Sequence, residues 1–385
     1  MPEAVIVAAA RTPIGRAKKG SLIDVRADDM LGFLIKHVVD SSGIDPTSID
    51  DVIAGCGMPN DEQGFNVGRV ALLLAGLPET VPGTTVNRFC SSSLQAIRMA
   101  YHAIKAGEGD TFVACGVESI TRVNQLSGGF EALNPKFLGD DAVWQVYLPM
   151  GLTAENVAER YDVPRDKMDE FAQQSQERAV AAQKNGFFDR EIVPYPKPDG
   201  TTVDRDDGPR PDSTLERLQS LKPAFKEDGR VTAGNSCPLN DGAAATIVMS
   251  DDKAKALGLT PLVRIKASSV SALDPAIMGV GPIEACRKVL QQAKMTIDDI
   301  DVVELNEAFA AQVIPVCDAI GVDPFTDKLN PHGGAIALGH PYGMTGARIM
   351  TTLINDLNTL DREVGLETMC VGGGRGMAMI VERVN

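Results

Sequence analysis

The chain has 385 residues, of which 44% are hydrophobic and 23% are charged, a composition that excludes wholesale disorder and a length that allows two or three domains. The formal net charge of −15 argues against nucleic-acid binding, because nucleic-acid-binding surfaces are basic. No apolar run approaches the roughly 20 residues of a membrane-spanning helix. Residues 1–10 lack the basic start of a signal peptide, so we predict a first strand there and no membrane span.

The cysteines favour a reducing compartment. Their count is odd, and no Cys-x-x-Cys pair occurs, so the sequence does not predict a metal site. We therefore expect free thiols and a cytoplasmic location. The seven residues are Cys56, Cys90, Cys115, Cys237, Cys286, Cys317 and Cys370.

An internal repeat organises the chain at an offset of about 251 to 255 residues. Residues 30–55 and 282–306 each predict a helix, a polar turn and a short strand, and the segments that begin at 84 and 328 each predict a helix followed by a strand. Two such copies predict an α/β fold with two packed halves. Residues 121–240 break the pattern and predict a large insertion, with a helical piece at about 153–185.

Cys90 follows an extended segment and precedes a helix marked by Leu94, Ile97 and Ile104. The positive end of the helix dipole is expected to lower the pKa of this thiol, and free N–H groups there are able to stabilise an oxyanion. A nucleophile is therefore one interpretation of Cys90. A buried, unreactive cysteine is the alternative that the local sequence leaves open.

His340 lies in the glycine-rich segment GGAIALGHPYGMTG, where glycines allow close approach to a ligand. His37 and His102 fall in helical patterns, so a base for a cysteine nucleophile is expected to be His340 or His332. A tight turn between a strand and a helix is the simpler explanation of the same glycines.

Cys370 ends an apolar strand and opens the run CVGGGRG, whose backbone N–H groups suit an oxyanion. A dinucleotide loop is excluded, because a strand and the chain end follow and no helix remains to complete the unit. Asn306 and Glu307 follow another strand. They suit a ligand site, although the local sequence alone favours a helix cap.

Together these segments resemble the thiolases, over essentially the whole chain. The motifs that carry the resemblance are VIVAAARTPIGRAKKGSL (5–22), NRFCSSSLQAI (87–97), PMGLTAENVAERY (149–161), VTAGNSCPLNDGAAA (231–245), DVVELNEAFAAQ (301–312), NPHGGAIALGHPYGMTGAR (330–348) and MCVGGGRG (369–376).

The resemblance implies a thiolase-like fold with two βαβαβαββ halves in a layered α-β-α-β-α core. The implied divisions are residues 1–120 with 241–265, a loop domain at 121–240, and residues 266–385. It also implies an enzyme that cleaves a 3-ketoacyl-CoA with CoA into acetyl-CoA and a shortened acyl-CoA, reversibly by Claisen condensation. Coenzyme A and acyl-CoA are then substrates and partners, no cofactor is tightly bound, and the protein forms a homodimer or homotetramer.

Carried over by motif, the resemblance implies that Cys90 is the acyl-accepting nucleophile, His340 its base and Cys370 the acid/base. Asn306 would hold a water that forms one oxyanion hole with His340. The backbone N–H groups of Cys90 and Gly372 would form the other. The positions implied to contact coenzyme A or the acyl group are Arg210, Met150, Cys237, Met278, Ala308 and Phe309.

Three departures from the family pattern stand out. Cys237 replaces a usual serine, His332 a frequent asparagine, and Arg375 a usual Met, Gln or Leu. The loop sequences resemble degradative thiolases of fatty-acid β-oxidation. Two alternatives remain, namely an acetoacetyl-CoA thiolase specific for C4 and, more remotely, a non-catalytic lipid-binding relative.

Overall fold

The computed structural model describes residues 2–123, 130–139, 142 and 144–384, so the predicted loop domain is described only in part. Its strands begin where the apolar runs of the sequence begin, and most are buried along their length. They are β1 (Ala4–Arg11), β2 (Gly15–Arg16), β3 (Asp51–Gly55), β4 (Gly83–Val86), β5 (Thr111–Ser119), β6 (Tyr195–Pro196), β7 (Thr202–Val203), β8 (Asn240–Ser250), β9 (Val263–Ala272), β10 (Val302–Leu305), β11 (Val364–Val371) and β12 (Arg375–Arg383).

The helices alternate with the strands, as the repeat predicts. Several end at a glycine in the left-handed conformation, such as Gly107 with a φ of +77°. They are α1 (Ala27–Ser42), α2 (Val67–Leu74), α3 (Ser92–Ala106), α4 (Met150–Arg160), α5 (Arg165–Lys184), α6 (Leu215–Gln219), α7 (Asp251–Ala256), α8 (Gly281–Ala293), α9 (Ala310–Ile320), α10 (Ala335–Leu338) and α11 (Thr345–Thr359).

The principal sheet has the order β10-β11-β12-β9-β1-β8-β5-β3-β4. The first half supplies β1, α1, β3, α2, β4, α3, β5 and β8, which is the predicted βαβαβαββ succession. The halves meet where β1 pairs with β9 through Val5–Arg264 and Ile6–Val263. The predicted domain boundary at 265/266 falls inside β9, and the domain divisions stay a prediction.

The second half departs from the repeat at its third strand. An isolated bridge between Val303 and Leu329 stands there instead of a full strand. The reason lies in Asn330, whose side-chain amide takes the place of a peptide group: Oδ1 accepts from the Leu305 N–H at 2.8 Å, and Nδ2 donates to the Leu305 carbonyl at 2.9 Å. The edge of β10 is therefore satisfied by backbone bonds to the bridge segment at Val303 and by this side chain at Leu305.

The layers follow from which faces are apolar. Helices α3 and α11 pack against each other, and α11 contacts β8 and β1 of the first half as well as β10 and β11 of the second. These two helices form the central layer, with a core that includes Leu94, Ile97, Met350 and Leu353. Helices α1 and α2 cover the first half, while α8 and α9 cover the second. The predicted α/β class and thiolase-like layering are thereby confirmed.

The helical piece predicted at 153–185 is two helices, α4 and α5. The break lies at Asp162 to Pro164, where Asp162 has a φ of +46° and Pro164 stands immediately before α5. Proline disfavours helical geometry in the preceding residue and has no N–H to continue α4. Both helices pack on the second half through residues such as Val157 and Phe171.

Candidate active site

Cys90 lies in a single 3₁₀ turn, Phe89–Ser91, that runs directly into α3. Phe89 has a φ of +44°, a conformation that non-glycine residues rarely adopt. Side chains hold the turn: Asn87 Oδ1 accepts from the Phe89 N–H at 2.8 Å, and Ser92 Oγ accepts from the Arg88 N–H at 2.9 Å. The predicted position of Cys90 at a helix start is confirmed, and the polar residues of NRFCSSS explain the turn.

The expectation of a lowered pKa for Cys90 is wrong. Burial raises the pKa of this thiol to about 11, although the backbone N–H groups of Gly372 and of Cys90 itself act in the opposite direction. Loss of hydration around a thiolate therefore outweighs the helix end. Cys90 rests as a thiol and needs a base nearby to become a nucleophile.

His340 lies between α10 and α11 and is almost completely buried. The backbone N–H of His340 donates to Asn240 Oδ1 at 3.0 Å. Gly339 before it has a φ of +114°, and a Cβ there would lie 2.4 Å from the Asn240 side chain, so only glycine fits. The loop thus fixes the backbone that carries the imidazole.

The hydrogen bonds of the ring determine its tautomer. Thr345 Oγ1 lies 2.7 Å from His340 Nδ1 and donates its one hydrogen to the Pro341 carbonyl at 2.8 Å. The hydroxyl must therefore accept a hydrogen from Nδ1. Nε2 therefore carries the lone pair, which accepts from Asn306 Nδ2 at 3.3 Å.

Electrostatics keep this imidazole neutral. Burial, followed by the positive charge of Arg348, lowers the pKa of His340 to about 3. Arg348 lies in the first turn of α11 and is itself fully buried. At neutral pH His340 is therefore a hydrogen-bond acceptor at Nε2.

Cys370 is the last residue but one of β11, and its thiol lies near those of Cys90 and Cys237. Burial, and then the neighbouring Cys90 and Cys237 thiols, raise the pKa of Cys370 well above its usual value. Its Sγ lies 3.5 Å from Gln312 Oε1. Three thiols from distant parts of the chain, Cys90, Cys237 and Cys370, therefore surround one small volume.

The other predicted contact positions divide into two groups. Met150 Sδ approaches Gly372, Met278 Sδ accepts from Gln312 Nε2 at 3.6 Å, and the Ala308 carbonyl accepts from the Cys237 N–H at 3.0 Å. Phe309 packs edge to face on Phe225 with ring centroids 5.9 Å apart. These residues adjoin the thiols. Arg210, by contrast, is exposed in the loop before α6 and lies outside the buried cluster.

Sequence reasoning missed three side chains that organise this pocket, namely Thr345, Gln312 and Glu118. Glu118 is fully buried and accepts from the N–H groups of Gly57 and Gly343, each at 2.8 Å. It thereby ties the loop after His340 to the loop after β3. For Glu118, the available signal was a charged residue at the end of an apolar strand. For Thr345 and Gln312, it was a polar residue within an otherwise apolar motif.

The layered fold and a pocket of cysteines, histidine and asparagine define the class of protein. The family model of the thiolase N-terminal domain matches residues 4–252, and that of the thiolase C-terminal domain matches residues 259–383. The chain belongs to the thiolase family.

Individual relatives cover the full length. The chain is 43% identical to a protein of Bacillus subtilis (strain 168) named 3-ketoacyl-CoA thiolase, over 99% of this chain and 100% of that one. It is 47% identical to the protein of the same name from Pseudoalteromonas translucida (strain TAC 125), over 100% of both. The crystal structure of the Bacillus anthracis acetyl-CoA acetyltransferase matches with a TM-score of 0.90 at 40% identity, over 100% of this chain and 99% of that one.

Proposed function

We propose that this chain is a 3-ketoacyl-CoA thiolase that cleaves a 3-ketoacyl-CoA with CoA through an acyl-enzyme on Cys90. One observation carries the proposal: the Cys90, Cys237 and Cys370 thiols lie close to one another, next to a neutral histidine. Tyr342, which is near Cys90 and Cys237, packs against the ring of His340, and His340 carries its lone pair on Nε2. The full-length relatives named 3-ketoacyl-CoA thiolase support it.

In the first step, Cys90 attacks the ketone carbon and its proton passes to His340 Nε2. The two pKa values, about 11 for Cys90 and about 3 for His340, imply that the ion pair is rare at rest. Proton transfer therefore accompanies attack. The N–H groups of Cys90 and Gly372 stabilise the resulting oxyanion, a role supported by their favourable effect on the Cys90 thiolate.

Breaking the bond between the α and β carbons leaves an acyl-Cys90 and the enolate of acetyl-CoA. The newly protonated Nε2 donates to the enolate oxygen, with a water held by Asn306 as second donor. Asn306 Oδ1 is buried without a protein partner, which supports a water there. Cys370 gives its proton to the enolate carbon, and acetyl-CoA leaves.

Free CoA completes the cycle. The Cys370 thiolate takes the proton of the CoA thiol, CoA attacks the acyl group, and the Cys90 sulfur leaves and regains its proton from His340. Each step is reversible, so the same groups support Claisen condensation. Coenzyme A enters as a substrate, with no cofactor tightly bound.

We assign the acyl and pantetheine contacts to Met150, Cys237, Met278, Ala308 and Phe309. Their position beside the thiols supports this assignment. The exposed Arg210 is proposed for a phosphate group of CoA, which extends outward from the buried sulfur. The loop domain, residues 121–240, would carry that outer part of the site.

A C4-specific acetoacetyl-CoA thiolase is the second candidate, because the structural relative of Bacillus anthracis is named acetyl-CoA acetyltransferase. Thiolysis of C4, C8 and C12 3-ketoacyl-CoAs decides between them. Each buried methylene contributes about 0.8 kcal/mol, so kcat/KM is expected to rise from C4 to C8. A C8 to C4 ratio well below one would select the C4-specific enzyme instead.

A homodimer or homotetramer completes the proposal. Strand β4 is an edge of the sheet, and the nearby Phe65 side chain is 99% exposed. Residues of α3, β3 and β5 line a groove of about 530 Å³, and β3 is the strand that pairs with β4. Light scattering coupled to size-exclusion chromatography tests the assembly, and a monomer at micromolar concentration would contradict it.

The compartment is also a proposal. All seven cysteines are free, which supports a reducing, cytoplasmic location. Within the part of the chain that the structure describes, no helix combines the length and apolar composition needed to cross a bilayer.

A further inference from the structure

Arg375 begins β12, immediately after the glycine turn that follows Cys370. Its Nε and Nη2 both donate to the Gly372 carbonyl, at 3.2 and 2.6 Å. Gly373 and Gly374 both have a φ of +77°, which lets the chain turn sharply enough for the side chain to reach back. Among the described residues Arg375 forms no ion pair with a carboxylate, so its positive charge is not neutralised locally.

The same guanidinium reaches the turn that carries the nucleophile. It lies 5.2 Å from the centroid of the Phe89 ring, within the range of a cation–π contact. The Phe89 ring also packs against Gly372, 3.7 Å from the position that a Cβ would take there. Phe89 directly precedes Cys90 and holds a left-handed backbone conformation. One side chain thus contacts both segments that supply the candidate oxyanion donors.

We propose that Arg375 is a positioning residue for the oxyanion site of this chain, joining the Gly372 and Cys90 backbone N–H groups and adding a positive charge beside them. The inference rests on the proposed function for the identity of the oxyanion. The Met or Leu usual at this position has neither a charge nor a hydrogen-bond donor, and the Gln found there can donate to a carbonyl but carries no charge for a cation–π contact with Phe89.

The guanidinium lies against Phe89, the residue directly before the nucleophile, so its charge faces the thiol at short range. Burial and then the Glu118 charge raise the pKa of Cys90, whereas the two N–H groups and, to a smaller extent, the Arg375 charge lower it. A merely structural brace for the turn would not act on the thiol in this way. The reactivity of Cys90 therefore separates a positioning and electrostatic role from simple support of the fold.

The test compares Arg375→Met and Arg375→Lys with the unmodified enzyme, and uses Arg383→Met as a control. Arg383 lies at the far end of the same strand and pairs with the exposed Asp361. The measurements are kcat and KM for thiolysis, and the rate at which iodoacetamide labels Cys90 and Cys370 at pH 8, followed by peptide mass spectrometry. Circular dichroism checks that each variant is folded.

We expect Arg375→Met to lower kcat roughly 10-fold or more with little change in KM, and to slow labelling of Cys90 relative to Cys370. Arg375→Lys should restore the labelling rate but only part of kcat, because the charge returns without the paired donors. Arg383→Met should change neither quantity.

An unchanged kcat in Arg375→Met, or a lower kcat with unchanged labelling of Cys90, would overturn the proposal. Failure of the proposed function has a different signature. The unmodified protein would then show no thiolysis at any chain length, while the labelling comparison would still report whether Arg375 acts on Cys90.

Discussion

Replacing Thr345 with valine tests the tautomer of His340. Valine has nearly the shape of threonine but lacks the hydroxyl that accepts from Nδ1–H at 2.7 Å. Two responses are open to the imidazole. It either keeps its hydrogen on Nδ1, buried and without an acceptor, or moves it to Nε2, where it meets the Asn306 amide hydrogens 3.3 Å away. In the second case Nε2 no longer accepts a proton from Cys90.

The magnitude follows from the first response. A buried donor left without an acceptor costs about 1–3 kcal/mol. If the free energy of the reactive tautomer, with its hydrogen on Nδ1, rises by this amount, kcat falls roughly 5- to 150-fold. Loss of the bond to the Pro341 carbonyl also lowers the free energy of unfolding, so the folded state must be checked separately.

The assay is steady-state thiolysis with thermal melting of each variant. Thr345→Ser keeps the acceptor and is expected to stay close to the unmodified rate. Thr351→Val is the matched control: it makes the same change in the same helix, where the hydroxyl donates to the Ala347 carbonyl at 2.7 Å. A folded Thr345→Val with kcat within about twofold of the unmodified enzyme, or a Thr345→Ser variant as impaired as the valine variant, would refute the tautomer argument.

Three further predictions concern the thiols and a buried carboxylate. Cys90→Ser should retain less than about a tenth of the thiolysis rate, because serine ionises far less readily than cysteine. Cys115→Ser, which alters a buried thiol on β5, is the control. A similar loss of rate in both variants would count against Cys90 as the nucleophile. Cys370→Ala should still accept an acetyl group on Cys90 when mixed with acetyl-CoA, while failing steady-state turnover; mass spectrometry detects the adduct, and a folded variant without it would contradict the division of roles. Glu367 is fully buried, and burial raises its pKa well above the usual value. The free energy of unfolding therefore falls as the pH rises from the pKa of about 4.3 in the unfolded chain to the higher pKa in the folded protein. Glu367→Gln should therefore raise Tm relative to the unmodified protein more at pH 9 than at pH 5, and an equal shift at both pH values would disprove this origin.

The fold was largely predictable because its signals are local. The helix after Cys90 follows from the spacing of Leu94, Ile97 and Ile104, and the structure has α3 at Ser92–Ala106. The repeat predicted two α/β halves, and the thiolase motifs predicted their layering. Where the prediction failed, a single residue changed the outcome: Pro164 divides the long helical piece, and the Asn330 side chain takes over the strand bonds at Leu305.

The candidate site was predictable in its residues but not in its chemistry. Motifs pointed to Cys90, His340, Cys370 and Asn306, yet no local pattern shows that a thiol at a helix start is fully buried. The pKa of Cys90 is raised because surrounding segments exclude water, an effect that opposes the helix end and exceeds it.

The sequence by itself determined which segments form helices, strands and the glycine turns, since backbone preferences and apolar spacing act over a few residues. Only the tertiary structure decided that Cys90 and Cys370, 280 positions apart in the chain, share one pocket, that Thr345 selects the tautomer of His340, and that Arg375 reaches back to Gly372. Hydration, hydrogen-bond partners and neighbouring charges determine the reactivity of these groups, and all three depend on contacts between segments that are distant in the chain.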